Sequence, residues 1–253
     1  MDVVALPAFS DNYVFALVDR GARRAAVVDP GDAGPPLALL EREGLALEAI
    51  LLTHHHGDHV GGVEALRRRH PAARVAGAGA DRARLPALTE EVREGDRVAL
   101  LGGEATAIEV PGHTRGHVAF FVPGAAGGGD LFSGDTVFGG TIGNLFEGTP
   151  DEMFDSLQKL RALPPATRIW CAHEYTLAYV REAARFDPGN VRLLERLRAL
   201  ERRAAAGDPL TVPLTLEEER ATNPFFRWDD PDMLERLGTP PGRPSFRRLC
   251  ELL

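Results

Sequence analysis

The feature that most constrains this chain is a polar, histidine-rich run placed directly behind an apolar one. Residues 49–52, Ala-Ile-Leu-Leu, have the composition of a buried strand. They lead straight into Thr53, His54, His55, His56, Gly57, Asp58 and His59, so His54, His56, Asp58 and His59 crowd metal-ligating side chains into six residues. Imidazole and carboxylate together suit zinc, and also iron or manganese. In an extended segment alternate side chains point the same way, so His54 and His56 can meet one ion. Asp58 and His59 follow Gly57, a residue that lets the chain turn, and would face a second ion close by. The competing reading is a solvated polar loop. Four ligands at this spacing behind a buried strand argue against it.

Length and charge narrow the rest. A chain of 253 residues, 44% hydrophobic, suffices for one sizeable domain with a smaller one beside it. A net charge of -8 disfavours a nucleic-acid partner. Two distant cysteines, Cys171 and Cys250, make no disulfide framework and fit a reducing cytoplasm. No signal peptide and no membrane-spanning stretch is expected. Basic charge is almost all arginine, with Lys159 the single lysine.

Read in order, the chain opens with strand candidates at residues 3–6, 13–18 and 25–28, a β-meander ending at Asp29. Capping that turn and serving a site are equally open roles for Asp29. A short helix at 37–42 precedes the histidine motif, and a second follows Gly61-Gly62. Further strands are expected at 74–76, 97–100, 105–110, 118–122, 130–132 and 168–171, the last of the chain, with a hairpin loop at 123–129. Interleaved strands and helices suggest sheets covered by helices. His113, Asp135 and His173 each lie just past a strand, a common place for a site. His113 comes first after its strand and is favoured as a ligand over His117, which is expected to hydrogen-bond structurally. His55 would face away from the first ion, and His70 belongs to the surface. Thr149, Pro150 and Glu152 have the pattern of a capped helix start. Beyond residue 175 the pattern turns helical, with Leu193, Leu194, Leu197 and Leu200 on one face and a break at 207–209. Two domains are therefore expected, 1–174 and 175–253.

The motif His54-x-His56-x-Asp58-His59 resembles that of the metallo-β-lactamase fold superfamily. Pro111-Gly112-His113-Thr114, Ser133-Gly134-Asp135-Thr136, His173-Glu174-Tyr175-Thr176 and the tail segment Glu219-Arg220-Ala221-Thr222-Asn223-Pro224 are together similar to the hydroxyacylglutathione hydrolase (glyoxalase II) family within it. That resemblance covers nearly the whole chain. It implies an α/β fold, an αββα sandwich followed by a small all-helical C-terminal domain that binds substrate. It also implies two divalent metal ions, zinc foremost and iron or manganese as alternatives. His54, His56 and His113 would hold one ion and Asp58, His59 and His173 the other, with Asp135 and a water or hydroxide bridging them. Two cations bring the pKa of a water from about 15.7 toward about 7, so hydroxide exists near neutral pH without a dedicated base. Asp58 would be a ligand that also orients this nucleophile. The implied substrate is the glutathione thioester S-D-lactoylglutathione, cleaved to glutathione and D-lactate in methylglyoxal detoxification. A monomer acting on a small molecule, without nucleic acid or membrane, is the expectation.

The departures concern the substrate end. Asn144 stands where the family usually has a basic residue. Phe146 stands where some members have tyrosine, and Cys250 and Leu253 fall on two usually basic tail positions. Tyr175 is retained. Arg247 and Arg248, one turn earlier, are the expected substitutes, so Tyr175, Asn144, Phe146, Arg247 and Arg248 form the candidate substrate-binding set. The alternative is a superfamily hydrolase acting on a different thioester or a lactone.

Overall fold

In the computed structural model, which describes residues 1–253 except 125–126 and 209, the apolar runs form two six-stranded sheets. The first contains β1 (Asp2–Ala8), β2 (Asn12–Asp19), β3 (Arg24–Val28), β4 (Ala46–Leu52), β5 (Arg74–Ala78) and β6 (Glu90–Val92), in sequence order. β1 to β3 form the antiparallel meander, and β3 to β6 pair in parallel. The second contains β7 (Arg97–Leu100), β8 (Gly103–Glu109), β9 (Val118–Pro123) and β10 (Gly129–Gly134). A small hairpin, β11 (Val137–Phe138) and β12 (Thr141–Ile142), follows. β13 (Arg168–Cys171) and β14 (Leu214–Thr215) complete the second sheet. The β9–β10 loop is the expected hairpin connection, closed by the pairing of Pro123 with Gly129. Residues 125–126 of that loop lie outside the described residues.

Period-two alternation sorts each strand between two cores. Phe15 and Leu17 of β2 and Ala49 and Leu51 of β4 face inward, against Phe120, Phe132 and Trp170 of the second sheet. Their neighbours Val14, Ala16, Ile50 and Leu52 face outward. There they pack under α1 (Gly34–Glu43) and, beyond the one-turn α2 (Gly57–Val60), under α3 (Val63–Arg69). On the other side Leu131 and Ile169 meet Met153, Leu157 and Leu160 of α4 (Pro150–Arg161). Thr149 and Glu152 close a reciprocal capping box at the start of α4. The layers are αββα, because strands buried on both faces need a cover on each side.

The tail supplies α5 (Thr176–Phe186), α6 (Val191–Ala205), α7 (Leu216–Thr222), α8 (Pro231–Leu237) and α9 (Arg243–Leu252). Leu193 and Leu200 are buried against Val180 and Ala183, with Leu194 and Leu197 partly buried beside them. The expected break at 207–209 begins after α6 ends at Ala205. Gly207 has φ 78°, and Pro209 lies outside the described residues. Phe225, Phe226, Trp228, Phe246 and Leu249 join the same apolar cluster as α4, so the tail is packed on the second sheet's helix layer. Among the described residues no helix is long and apolar enough to cross a membrane.

Two expectations are corrected, and one strand stands where none is expected. Arg168–Cys171 is not the last strand, because Leu214–Thr215 pairs antiparallel with it from within the tail. Glu90–Val92 forms an edge strand that its two glutamates disguise. Gly57 is not what turns the chain. A Cβ there would meet nothing within 4 Å, and the turn is made by the helical backbone of α2 itself.

Candidate metal centre

β3 and β4 run parallel in one sheet, and β8, β10 and β13 run the same way as one another in the other. Asp29 and His54 to His59 follow the first pair. His113, Asp135 and His173 follow the second set. The C-terminal ends of both sheets therefore deliver these groups to one edge of the sandwich.

There the side chains converge. His54 Nε2 and His113 Nε2 lie 3.0 and 3.1 Å from His56 Nδ1. Asp135 reaches both halves of the cluster. Its Oδ1 is 3.4 Å from His59 Nε2, and its Oδ2 is 3.5 Å from both His113 Nε2 and His173 Nε2. Asp58 Oδ2 stands 3.5 Å from His59 Nε2 and 3.4 Å from His173 Nε2. Three triads thus have ligand atoms within 4.8 Å of one another: His54, His56 and His113; His54, His59 and Asp135; Asp58, His59 and His173. His54, His59, His113, Asp135 and His173 are buried, while His56 and Asp58 lie toward solvent.

The far side of almost every imidazole is held. His113 Nδ1 donates to the Asn144 carbonyl at 2.8 Å, and His173 Nδ1 donates to Asp11 Oδ1 at 2.8 Å. His59 Nδ1 donates to Asp29 Oδ2 at 3.1 Å. Thr53 gives its hydroxyl to Asp29 at 2.6 Å and lies 3.1 Å from His54 Nδ1. With protons on these Nδ1 atoms, the Nε2 lone pairs point into the cluster, the arrangement metal-binding histidines require. The residues fit cations by a second criterion. His59 Nε2 and Asp135 Oδ1 are buried and have no hydrogen-bond partner among the described residues, a costly state unless something else satisfies them.

The crowding splits the imidazoles: His54, His56 and His113 are lowered, chiefly by burial, while His59 and His173 are raised against burial by the neighbouring carboxylates. Burial, then the neighbouring imidazoles, push His54 well below the ordinary histidine range, so it is neutral and able to ligate. Burial would raise Asp135, but His59 and His173 hold it down at about 2. Burial would lower His173, but Asp135, Asp58 and Asp11 raise it to about 10, so its Nε2 carries a proton that a cation would displace. The hydrogen bond from that Nε2 leads in holding Asp58 well below the carboxylate range. Both carboxylates are thus ionised acceptors at neutral pH.

His117 is not in any of the triads. Burial drives it down to about 3. It stacks on His54 with centroids 4.7 Å apart and accepts the Asp135 backbone N–H at 3.2 Å. Gly134, with φ 50°, makes that approach possible, since a Cβ there would come within 2.4 Å of Thr53 Oγ1 and 2.8 Å of His117. His55 turns away and pairs with Asp81 at 2.9 Å. Tyr175 stacks on His173 with centroids 4.9 Å apart. Phe146, 66% exposed, sets its ring edge-on near His56 and His113 at the mouth of the cluster.

Several positioning residues were not apparent from sequence. Asp11 and Asn12 read as a turn, yet Asp11 orients His173 and Asn12 donates to Asp58 Oδ2 at 2.9 Å. The open choice for Asp29 resolves to the site. Its φ of 50° is unusual for a non-glycine residue, and its carboxylate also takes the Thr53 N–H at 2.8 Å. From the tail, buried Glu219 accepts from Gly140 N at 3.0 Å, and Asn223 donates to the Thr141 carbonyl at 2.9 Å. They brace the hairpin that carries Asn144 to His113.

The structure does not bring Arg247 or Arg248 to the site. Arg247 pairs with Asp151 across to α4, and Arg248 with Glu251 on its own helix at 2.8 Å. A groove of about 240 Å³ beside the cluster is lined instead by Asn144, Cys250 and Leu253, with Thr141, Tyr179 and Phe225.

Comparison with known proteins bears on this arrangement directly. Residues 10–173 match the model of the metallo-beta-lactamase superfamily, and residues 174–252 that of the hydroxyacylglutathione hydrolase C-terminus. A curated hydroxyacylglutathione hydrolase of Synechococcus sp. (strain ATCC 27144 / PCC 6301 / SAUG 1402/1) is 52% identical over 232 residues, 90% of each chain. The chain belongs to the hydroxyacylglutathione hydrolase family. The BLEG-1 B3 metallo-beta-lactamase, 22% identical, shares the fold, with a TM-score of 0.67 over 89% of this chain and 99% of that one. TTHA1623, solved in a di-iron-bound form, is 32% identical with a TM-score of 0.56, over 68% of this chain and 92% of that one. Membership of this hydrolase family and the His/Asp triads together indicate divalent metals.

Proposed function

We propose that the protein hydrolyses the thioester of glutathione with a 2-hydroxy acid, S-D-lactoylglutathione, to the free thiol and D-lactate. The observation that carries this reading is the double-sided placement of Asp135 between two sets of imidazoles, in a chain 52% identical to a curated hydroxyacylglutathione hydrolase. His54, His56 and His113 would hold one cation, Asp58, His59 and His173 the second, and Asp135 would contact both. Bound cations would supply Lewis acidity for the carbonyl and bring a water's pKa toward neutrality.

The chain's own side chains do the rest. Asp58 is partly exposed, ionised and fixed by Asn12, so its carboxylate can accept a proton-bearing nucleophile's hydrogen bond and orient it. Buried His117 and Thr53 keep the floor of the site rigid and dry. Phe146 at the mouth offers an apolar edge to the thioester. Residues 1–174 would carry this chemistry, and 175–253 would shape the carrier side. All seven ligands come from one chain, which supports a monomer. Zinc is the first choice of metal. The di-iron form of TTHA1623 supports iron as the alternative. Two unpaired cysteines fit a reducing cytoplasm.

The test is turnover of S-D-lactoylglutathione by metal-analysed protein, beside a coenzyme A thioester and a simple lactone. The glutathione thioester should be hydrolysed at least about tenfold faster, a difference of roughly 1.4 kcal/mol in transition-state binding. Preference for the lactone would overturn the reading.

A further inference from the structure

The half-site of His54, His56 and His113 draws its side chains from two loops and its support from a third. His54 and His56 follow β4, His113 follows β8, and the Asn144 carbonyl that holds His113 belongs to the segment between β12 and α4. One chain of charged side chains, centred on Asp81 and Arg84 between β5 and β6, crosses all three. His55, between the two motif ligands, meets buried Asp81 at 2.9 Å. Asp81 also accepts the Arg84 Nε–H at 2.9 Å, and Arg84 goes on to donate to Glu147, its Nη2 lying 3.1 Å from Oε2. Glu147 closes the circuit by accepting the Arg115 backbone N–H at 2.9 Å, just past His113. Arg84 first, and that N–H next, keep Glu147 ionised by holding it at about 2. The loops are in close contact where they are joined. A Cβ on Gly116 would come within 2.4 Å of Asp81 Cγ, and one on Gly148 within 2.6 Å of Gly112 Cα. Phe146 N donates to the His113 carbonyl at 3.2 Å, and Gly148 N to that of Gly112 at 3.0 Å. The other half-site takes its support from elsewhere: Asp11 and Asn12 in the β1–β2 turn, and Asp29 behind His59. An exposed ion pair by itself contributes little. The Arg84–Glu147 pair is anchored at one end on a buried carboxylate and at the other on a main-chain donor. The planar guanidinium fork can serve both carboxylates at once, which a point charge such as lysine could not.

We infer that Arg84 is a positioning residue: by tying Asp81 and His55 to Glu147 it fixes the geometry of the His54, His56 and His113 half-site, and so sets affinity for the first cation while leaving the second untouched. The inference rests on the two-cation arrangement of the proposed function and is independent of which thioester is cleaved.

The experiment uses two single-site backgrounds. His56 and Asp58 both lie toward solvent, so His56→Ala and Asp58→Ala should each remove one half-site while the buried ligands stay in place. Zinc affinity is measured in each by competition with a chromophoric chelator, with and without Arg84→Met. In Asp58→Ala, which keeps the first half-site, Arg84→Met should weaken zinc by about tenfold, the lower end of what supporting partners of metal ligands are worth. In His56→Ala, which keeps the second, no change beyond about twofold is expected, as for separate sites with no shared partner. Glu147→Gln keeps the side chain's shape and its acceptor for the Arg115 N–H, and should reproduce the pattern. Combined with Arg84→Met it should add nothing further, because both changes break one contact. Equal weakening in the two backgrounds, as from a general loss of stability, would overturn the inference. So would unchanged zinc affinity in Asp58→Ala, or losses that add in the double variant. Binding of a single zinc by the wild type would instead overturn the two-cation reading, and the inference with it.

Discussion

The metal cluster and the groove lined by Asn144, Cys250 and Leu253 are built on opposite terms. In the cluster His54, His59, His113 and His173 are anchored through their far nitrogen, the two carboxylates are ionised, and five of the seven side chains are buried. In the groove Asn144 is exposed, and none of the described lining residues is cationic. Chemistry that depends on atoms placed within tenths of an ångström needs a supporting layer. Binding an extended arm needs only shape and a few hydrogen bonds. Over-determination thus marks the place where the reaction is fixed, and its absence the place where specificity can drift.

Substitutions can break that contrast. The largest effect is expected at Asp135, which alone reaches both sets of imidazoles. Asp135→Ala should lower metal content and reduce thioester turnover beyond the roughly 100-fold that bounds the loss of a mere supporting partner. Supporting residues come next. Asp29→Asn and Asp11→Asn should each cost about 10–100-fold in metal affinity or activity, read by metal analysis after dialysis against a weak chelator. Full retention in both would mean that anchoring the imidazoles is not what fixes the cluster. Glu219→Gln and Asn223→Ala act at longer range, through the β11–β12 hairpin and Asn144. A loss of about tenfold in kcat with metal content reduced is expected, whereas a change in thermal stability alone would assign them a purely structural role. The smallest effect is expected at the tail. Arg247→Gln with Arg248→Gln should leave KM for S-D-lactoylglutathione unchanged, because both guanidinium groups are exposed and already paired.

How much of this could be read from sequence follows from the same contrast. The cluster was legible because a buried, alternating strand such as β4 announces itself, and its polar continuation then stands at a strand end. The same logic singled out His113, Asp135 and His173. The preference for His113 over His117 rests on order after the strand, and His113 lies in one of the triads while His117 lies in none. The two-residue β14 and three-residue β6 were not legible, since so few residues carry no period. Asp11, Asn12 and Asp29 have the composition of turns, and only the packing of β1 to β3 against the motif turns them toward the ligands. Glu219 sits in a run of three glutamates, and its burial depends on Arg196 and Gly140, far away in sequence. On α9 the choice between Arg247 or Arg248 and Cys250 or Leu253 depended on which face meets the hairpin. That is a tertiary fact.

The central claim is that seven side chains hold two cations that act together on a thioester. Its most direct test is titration of the metal-free protein with zinc, following S-D-lactoylglutathione hydrolysis at each step. The account predicts activity that reaches its plateau at two equivalents per chain in the wild type and is lost in Asp135→Ala. A plateau at one equivalent, or turnover by the metal-free protein, would contradict it.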